Sequence, residues 1–232
     1  VAFRVIAFST VWAIIVLMVI GTVISALYYR SSVASFRTLL SAHLFNLVSS
    51  VSVSDDGTLT GNPDLGDLRF NEPNSGWYWS VTPTSDGLRG ELHSLSLVQP
   101  ISPSSRNVPF DADFRRHYRA RGPGGQRLEV LESEVVLDTN NRVARFRVTG
   151  NRNELQAEID QFQHRVFLYL SLFGVGMILI NAVAILLGLR PLDRVRQSLQ
   201  RVREGQAQRL DGNFPAEIEP LAIETNALID NN

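Results

Sequence analysis

The chain has 232 residues, with 22 arginines but no lysine, 23 acidic residues and no cysteine, for a formal net charge of −1. A net charge so near zero says little about partners, although no nucleic acid is expected among them, and without disulfides any folded part must be held by its own core. The apolar residues are gathered in two places rather than spread evenly.

The first place is Val5 to Tyr29, 25 residues without a charge; the second is Val166 to Leu189, 24 residues. About 20 helical residues cross a bilayer, whereas a secretory signal has an apolar region of only about 7 to 15. Residues 5–29 and 166–189 therefore read as transmembrane helices. Tyr28 and Tyr29 close the first and Phe167 and Tyr169 open the second, so both aromatic pairs mark the same membrane boundary. Arg190, Arg194, Arg196, Arg201, Arg203 and Arg209 follow the second span, against Arg30 and Arg37 after the first. The positive-inside rule then puts both termini in the cytoplasm and residues 30–165 outside, although Arg147, Arg152 and Arg165 temper the bias.

The outer segment predicts one α/β domain. Phe36, Leu40, Leu44 and Leu47 keep helical spacing, so the first span continues outward as an amphipathic helix. "GWYWSVT" alternates Trp77, Trp79 and Val81 against Tyr78 and Ser80, and "ELHSLSLV" is a second apolar run. "HYRAR" and "RLEVLESEVVLD" flank "GPGG", where Pro123 and Gly124 suit a type II turn; "RVARFRVTG" after "TNN" adds a second hairpin. An antiparallel sheet of about five strands behind a long helix is the expected plan. Asn151 with Glu154 three residues on resembles a capping box, from which Leu155, Ile159, Phe162 and Val166 form one helical face leading into the second span.

Beyond that span, Leu192, Val195, Leu199 and Val202 are spaced 3, 4, 3, and Ile218, Leu221, Thr225 and Leu228 repeat the pattern. Each is a coiled-coil seam too short to be stable alone, so pairing with a second chain as a parallel four-helix bundle is expected. Pro191 either starts a new helix there or kinks a continuous one. Asn181, in the middle of the second span, is costly in lipid and is expected to bond another helix, its symmetry mate foremost.

These last segments carry a resemblance. "RPLDRVRQSLQRVREG" followed by "FPAEIEPLAIETNALIDN", with Glu217 and Ile218 opening the second helix, looks like a HAMP linker over residues 190–232. Together with "SGWYWSV" and "RGPGGQRLEVLE", the whole is similar to sensor histidine kinases of two-component systems, in the PhoQ-like branch of alphaproteobacteria. The resemblance implies a PAS-like (PDC) sensor domain in the periplasm, between two helices of a bacterial inner membrane. It also implies a homodimer whose HAMP controls autophosphorylation in a C-terminal kinase domain, with phosphotransfer to a response regulator; ATP and Mg belong to that domain. The sequence ends at Asn232, before any phosphoacceptor histidine, since His43, His93, His117 and His164 all fall in the outer segment. It also begins with Val, so it reads as the input half of a receptor with no catalytic, cofactor or metal residues of its own.

Three features of the outer segment are weighed as sites. The acidic pairs Asp55/Asp56, Asp64/Asp67, Asp111/Asp113 and Glu132/Glu134 are scattered, and the last can meet Arg145 and Arg147 across the "TNN" hairpin, favouring ion pairs over metal. "FRRHYRARG", with Arg115, Arg116 and His117, could take an anion or a regulatory partner, with a solvated strand edge the commoner outcome. Trp77, Tyr78 and Trp79 could line a small-ligand pocket, although alternating aromatics are more often core. An alternative for the whole is a methyl-accepting chemoreceptor with the same front half and no enzymatic domain. A polysaccharide chain-length regulator would instead need long outer coiled coils and no HAMP-like pair.

Overall fold

An unbroken apolar sequence makes the first element a helix of great length. In the computed structural model, which describes residues 2–101, 108–203 and 223, α1 runs Ala2–Ser49 and α2 runs Arg152–Arg203. Both contain a stretch long and apolar enough to cross a membrane. At 1.5 Å per residue the 48 residues of α1 reach about 72 Å, more than twice the thickness of a hydrocarbon core.

The chain divides into two compact units: the residues up to Val23 with those from Val166 on, and Ile24–Arg165. In the first, Gly21 lies against Leu170 and Phe167, and Gly174 against Leu17, so missing side chains let the helices approach closely. Phe8, Trp12, Met18, Leu172, Phe173 and Ile180 are between 63% and 79% exposed, which suits lipid and not a soluble core. Within the chain, Asn181 Nδ2 donates to Ser9 Oγ at 2.8 Å. The backbone stays helical through Pro191 to Arg203, so the proline does not start a helix. A single missing donor leaves the surrounding turns of the ladder intact.

In the second unit, a two-stranded ribbon (β1, Val51–Val53; β2, Leu59–Gly61) precedes a five-stranded sheet. Its strands are β3 (Trp79–Pro83), β4 (Leu92–His93), β5 (Arg115–Arg121), β6 (Arg127–Val136) and β7 (Val143–Asn151), in the spatial order β4-β3-β7-β6-β5, all antiparallel. Strand alternation gives the sheet two unlike faces. One packs on α1: Leu40, Leu44 and Leu47 meet Trp77, Trp79, Val81, Leu131, Phe146 and Val148. The helix comes so close to β7 that a Cβ at Gly150 would lie 2.6 Å from the Phe36 ring. The other face holds a smaller cluster of Tyr78, Ile101, Tyr118, Leu128 and Val130.

Two local expectations are corrected. In the β5–β6 turn, positive φ falls on Gly125 (78°) and not on Gly124. Gly125 N–H donates to Gly122 O and Gly122 N–H to Gln126 O, a type I turn closed by a left-handed bulge residue, which matches strand twist better than type II. The run "ELHSLSLV" pairs only at Leu92–His93. Beyond it Ser94 Oγ accepts from Trp79 N–H at 3.1 Å and Ser96 Oγ donates to Trp77 O at 2.6 Å, so hydroxyls replace the ladder and bend the chain.

Candidate functional site

The residues around the start of α2 form one connected polar cluster. Asn151, the last residue of β7, caps α2: its Oδ1 accepts from Asn153 N–H at 2.9 Å, and its Nδ2 donates to Glu154 Oε1 at 3.2 Å. The capping box is thus modified, because Glu154 turns to other donors. Its Oε2 accepts from Trp77 Nε1 at 2.9 Å and from Arg69 at 3.4 Å. Arg69 stacks 3.7 Å above the Trp77 ring and grips Asp67 with Nε and Nη2, a bidentate fork that holds the Asp67 carboxyl below its usual range.

Beside this cluster His43 of α1 is buried, edge-on to Phe70 and Trp77, with neither ring nitrogen hydrogen-bonded. Asp67 stands 3.8 Å away, too far for a hydrogen bond. Burial pushes His43 below its ordinary value; Asp67 opposes that and Arg69 adds to it. A groove of about 470 Å³ opens against the same cluster, lined by Tyr28, Ser31, Ser35, Phe36, Arg69 and Glu158 among others.

The opposite sheet face carries charge at its centre. Glu132 is fully buried, with Arg116 Nε at 2.6 Å, Tyr118 Oη at 2.6 Å and Arg147 Nε at 2.6 Å. Burial alone would raise its carboxyl, but the tyrosine hydroxyl and the two guanidiniums outweigh it and hold Glu132 below the usual range. Burial and the bond to Glu132 push the Tyr118 hydroxyl up. The register Glu132↔Arg147 and Glu134↔Arg145 places both expected ion pairs directly across the β6–β7 ladder, the second at 2.7 Å. A second cavity of about 300 Å³ lies along this face, between Ser80, Thr82, His93, Ile101 and Arg147.

The candidate ligand region read from sequence is split by the fold. Trp77 and Trp79 are core against α1, Tyr78 is buried on the other face, and Arg116 belongs to the Glu132 cluster. Arg115 and His117 stand exposed on the α1 side of β5. Pro191, Leu192, Val195, Leu199 and Val202 lie on α2, where only the backbone is described; Glu217, Ile218, Leu221 and Leu228 fall outside the described residues. The acidic pairs serve turns: Asp56 accepts from Thr58 N–H, Asp64 from Gly66 N–H and Asp111 from Asp113 and Arg115 N–H. Among the described residues no group of three or more acidic, His or Cys side chains is placed to hold a metal. The contacts of Arg69 and Trp77 with Glu154 had no sequence signal as a site, since these partners are distant in the chain.

Residues 189–232 match the family described as "Sensor protein PhoQ-like, HAMP domain". Over 177 residues, 69% of this chain, the sequence is 25% identical to the sensor protein kinase CarS of Pseudomonas aeruginosa, covering 34% of that protein. The chain therefore spans about a third of that relative's length. No solved structure matches significantly. A PhoQ-like HAMP domain following an apolar helix, in a chain with a sensor-kinase relative, supports a membrane-bound sensor-kinase input region that transduces a signal.

Proposed function

We propose that this chain is the sensing and transmitting half of a sensor histidine kinase of the PhoQ-like branch, of the alphaproteobacterial kind, set in the bacterial inner membrane. Residues 30–165 face the periplasm as a PAS-like (PDC) domain, a reading supported by the five-stranded antiparallel sheet laid against α1. Residues 5–29 and 166–189 cross the bilayer, and 190–232 form the HAMP of a homodimer. Its output is autophosphorylation of a kinase domain elsewhere in the protein, which uses ATP and Mg and passes the phosphoryl group to a response regulator. A small periplasmic ligand or a regulatory protein biases the outer domain.

The observation that carries this reading is the PhoQ-like HAMP match over 189–232, joined to the sensor sheet by one unbroken helix, Arg152–Arg203. A signal outside then travels as a movement of that helix through Pro191 into the seam of Leu192, Val195, Leu199 and Val202, and on to the second HAMP helix, with Glu217, Ile218, Leu221 and Leu228. Single cysteines at Val195 and Leu221 should cross-link between chains in membranes far more than cysteines at Arg194 and Arg196. Equal linking at all four positions would rule out the parallel bundle.

A further inference from the structure

Strand β5 is the end of the sheet: among the described residues no strand pairs with its outer side, so half of its backbone amides and carbonyls point away from β6; Asp111 takes those of Arg115, which leaves His117, Arg119 and Arg121. Alternation puts Arg115, His117, Arg119 and Arg121 on the α1 side of this edge, all exposed, two residues apart. Among the described residues none of those three arginines enters an ion pair. The same face of β6 adds exposed Arg127 and one carboxylate, Glu129, which is buried and already held by Arg152 at 2.9 Å and Arg37 at 3.6 Å.

One pairing is unfavourable as it stands. Arg121 lies directly opposite Arg127 in the ladder, and like charges in that position repel. A carboxylate arriving beside them would turn the repulsion into attraction. Charged edges commonly serve only to keep other strands away. Here, however, the charge is all of one sign, so the edge refuses a second copy of itself, which would set arginine against arginine, while favouring a strand of opposite sign.

We propose that the outer edge of β5 is a docking strand for an acidic extended segment of a partner protein, which adds to the sheet by main-chain hydrogen bonds along His117 to Arg121 and places alternate carboxylates beside Arg119 and Arg121. The two-residue spacing of Arg119 and Arg121, about 6.4–6.8 Å, equals the side-chain repeat of an incoming strand on one face. A lipid surface or a flexible polyanion needs neither the free backbone nor that spacing.

The test uses the full chain in neutral phosphatidylcholine nanodiscs and a fluorescent seven-residue peptide of alternating Glu and Val, read by anisotropy. The peptide should bind, weaken as salt rises from ~0.1 M to ~0.5 M, and bind about tenfold or more tightly than its fully N-methylated form. Arg119→Gln, opposite Glu129, and Arg121→Glu, which would face Arg127 with an opposite charge and so keep the fold, should each weaken binding about tenfold. Equal binding of the N-methylated peptide or of polyglutamate would reduce the edge to a generic anion patch and overturn strand addition. Absence of peptide binding at low salt, or capture by phosphatidylglycerol vesicles that the peptide does not compete, would overturn it as well. The assay reads the edge alone, so its failure leaves the sensor-kinase reading standing.

Discussion

The two faces of the five-stranded sheet solve the same burial problem by opposite means. Against α1 the sheet presents Trp79, Val81, Leu131, Phe146 and Val148, and its one buried carboxylate, Glu129, lies near the start of β6, paired with Arg152 and Arg37. On the other face a fully buried glutamate is held by two arginines and a tyrosine. An apolar face tolerates small sliding motions as long as area stays covered, since its attraction is not directional. A buried ion cluster does not, because displacing one member leaves the others uncompensated. The first face is therefore suited to a helix that moves and the second to a frame that stays.

Breaking the apolar face gives the largest expected loss. Phe146→Ala, at the centre of that core, should lower unfolding stability by about 3–5 kcal/mol, measured by denaturant titration of the full chain in micelles. A loss no greater than that of a surface substitution would show that α1 does not seal this face.

Breaking the ionic face costs somewhat less. Glu132→Ala should cost about 3 kcal/mol, the low end for a buried pair because Arg116 and Arg147 keep some contact with solvent. Replacing Arg116, Glu132 and Arg147 together by Met should recover most of that loss or exceed the parent, since the apolar substitute is spared desolvation. If the triple variant is as unstable as Glu132→Ala alone, the cluster contributes net stability. Acid distinguishes the faces too. Glu132 sits below its ordinary value of 4.5, so its contribution is present above that pH and is lost as pH falls through the lower folded value.

His43 sharpens the comparison, being a buried titratable group on the apolar side without a hydrogen bond. Its folded value lies below 6.5, so the unfolded chain binds the proton more readily, and stability should decline as pH falls from about 6.5 towards that lower value. His43→Leu should flatten the decline and, by removing an unsatisfied buried donor, should be neutral or stabilising by about 1 kcal/mol at pH 8. An unchanged slope between pH 7 and pH 5 would assign it to other groups.

The smallest effect belongs to the half-exposed rim. Glu134→Gln, which loses the bridge to Arg145, should cost only about 0.2–1 kcal/mol. A loss comparable to that of Glu132→Ala would mean that the two ladder pairs act as one network.

The sequence disclosed what depends on neighbours and periodicity. The two apolar runs, the outer face of α1, the Trp77/Trp79/Val81 alternation and the ion pairs across the β6–β7 hairpin all follow from short-range spacing, and a tight turn sets a ladder's register. The Arg69–Trp77–Glu154 cluster did not, because its contacts close over 77 and 85 residues and depend on how sheet and helix meet. Ser9 as the partner of Asn181 was hidden for the same reason, with 172 residues between them. The turn type at "GPGG" was missed because composition admits both types, while the twist of the flanking strands decides.

Asn151 is at once the final residue of β7 and the cap of α2, with no connecting loop between strand and helix. That junction sets the angular phase of everything downstream. With 3.6 residues per turn, one residue inserted between Asn151 and Arg152 would rotate every later side chain of α2 by about 100° about its axis, while adding only about 1.5 Å of length. Four insertions in all would bring the helix round by about 400°, within about 40° of its starting phase. The strand end thus serves as a clock mark for the helix, and its tolerance to insertion should follow the helical period rather than the number of residues added.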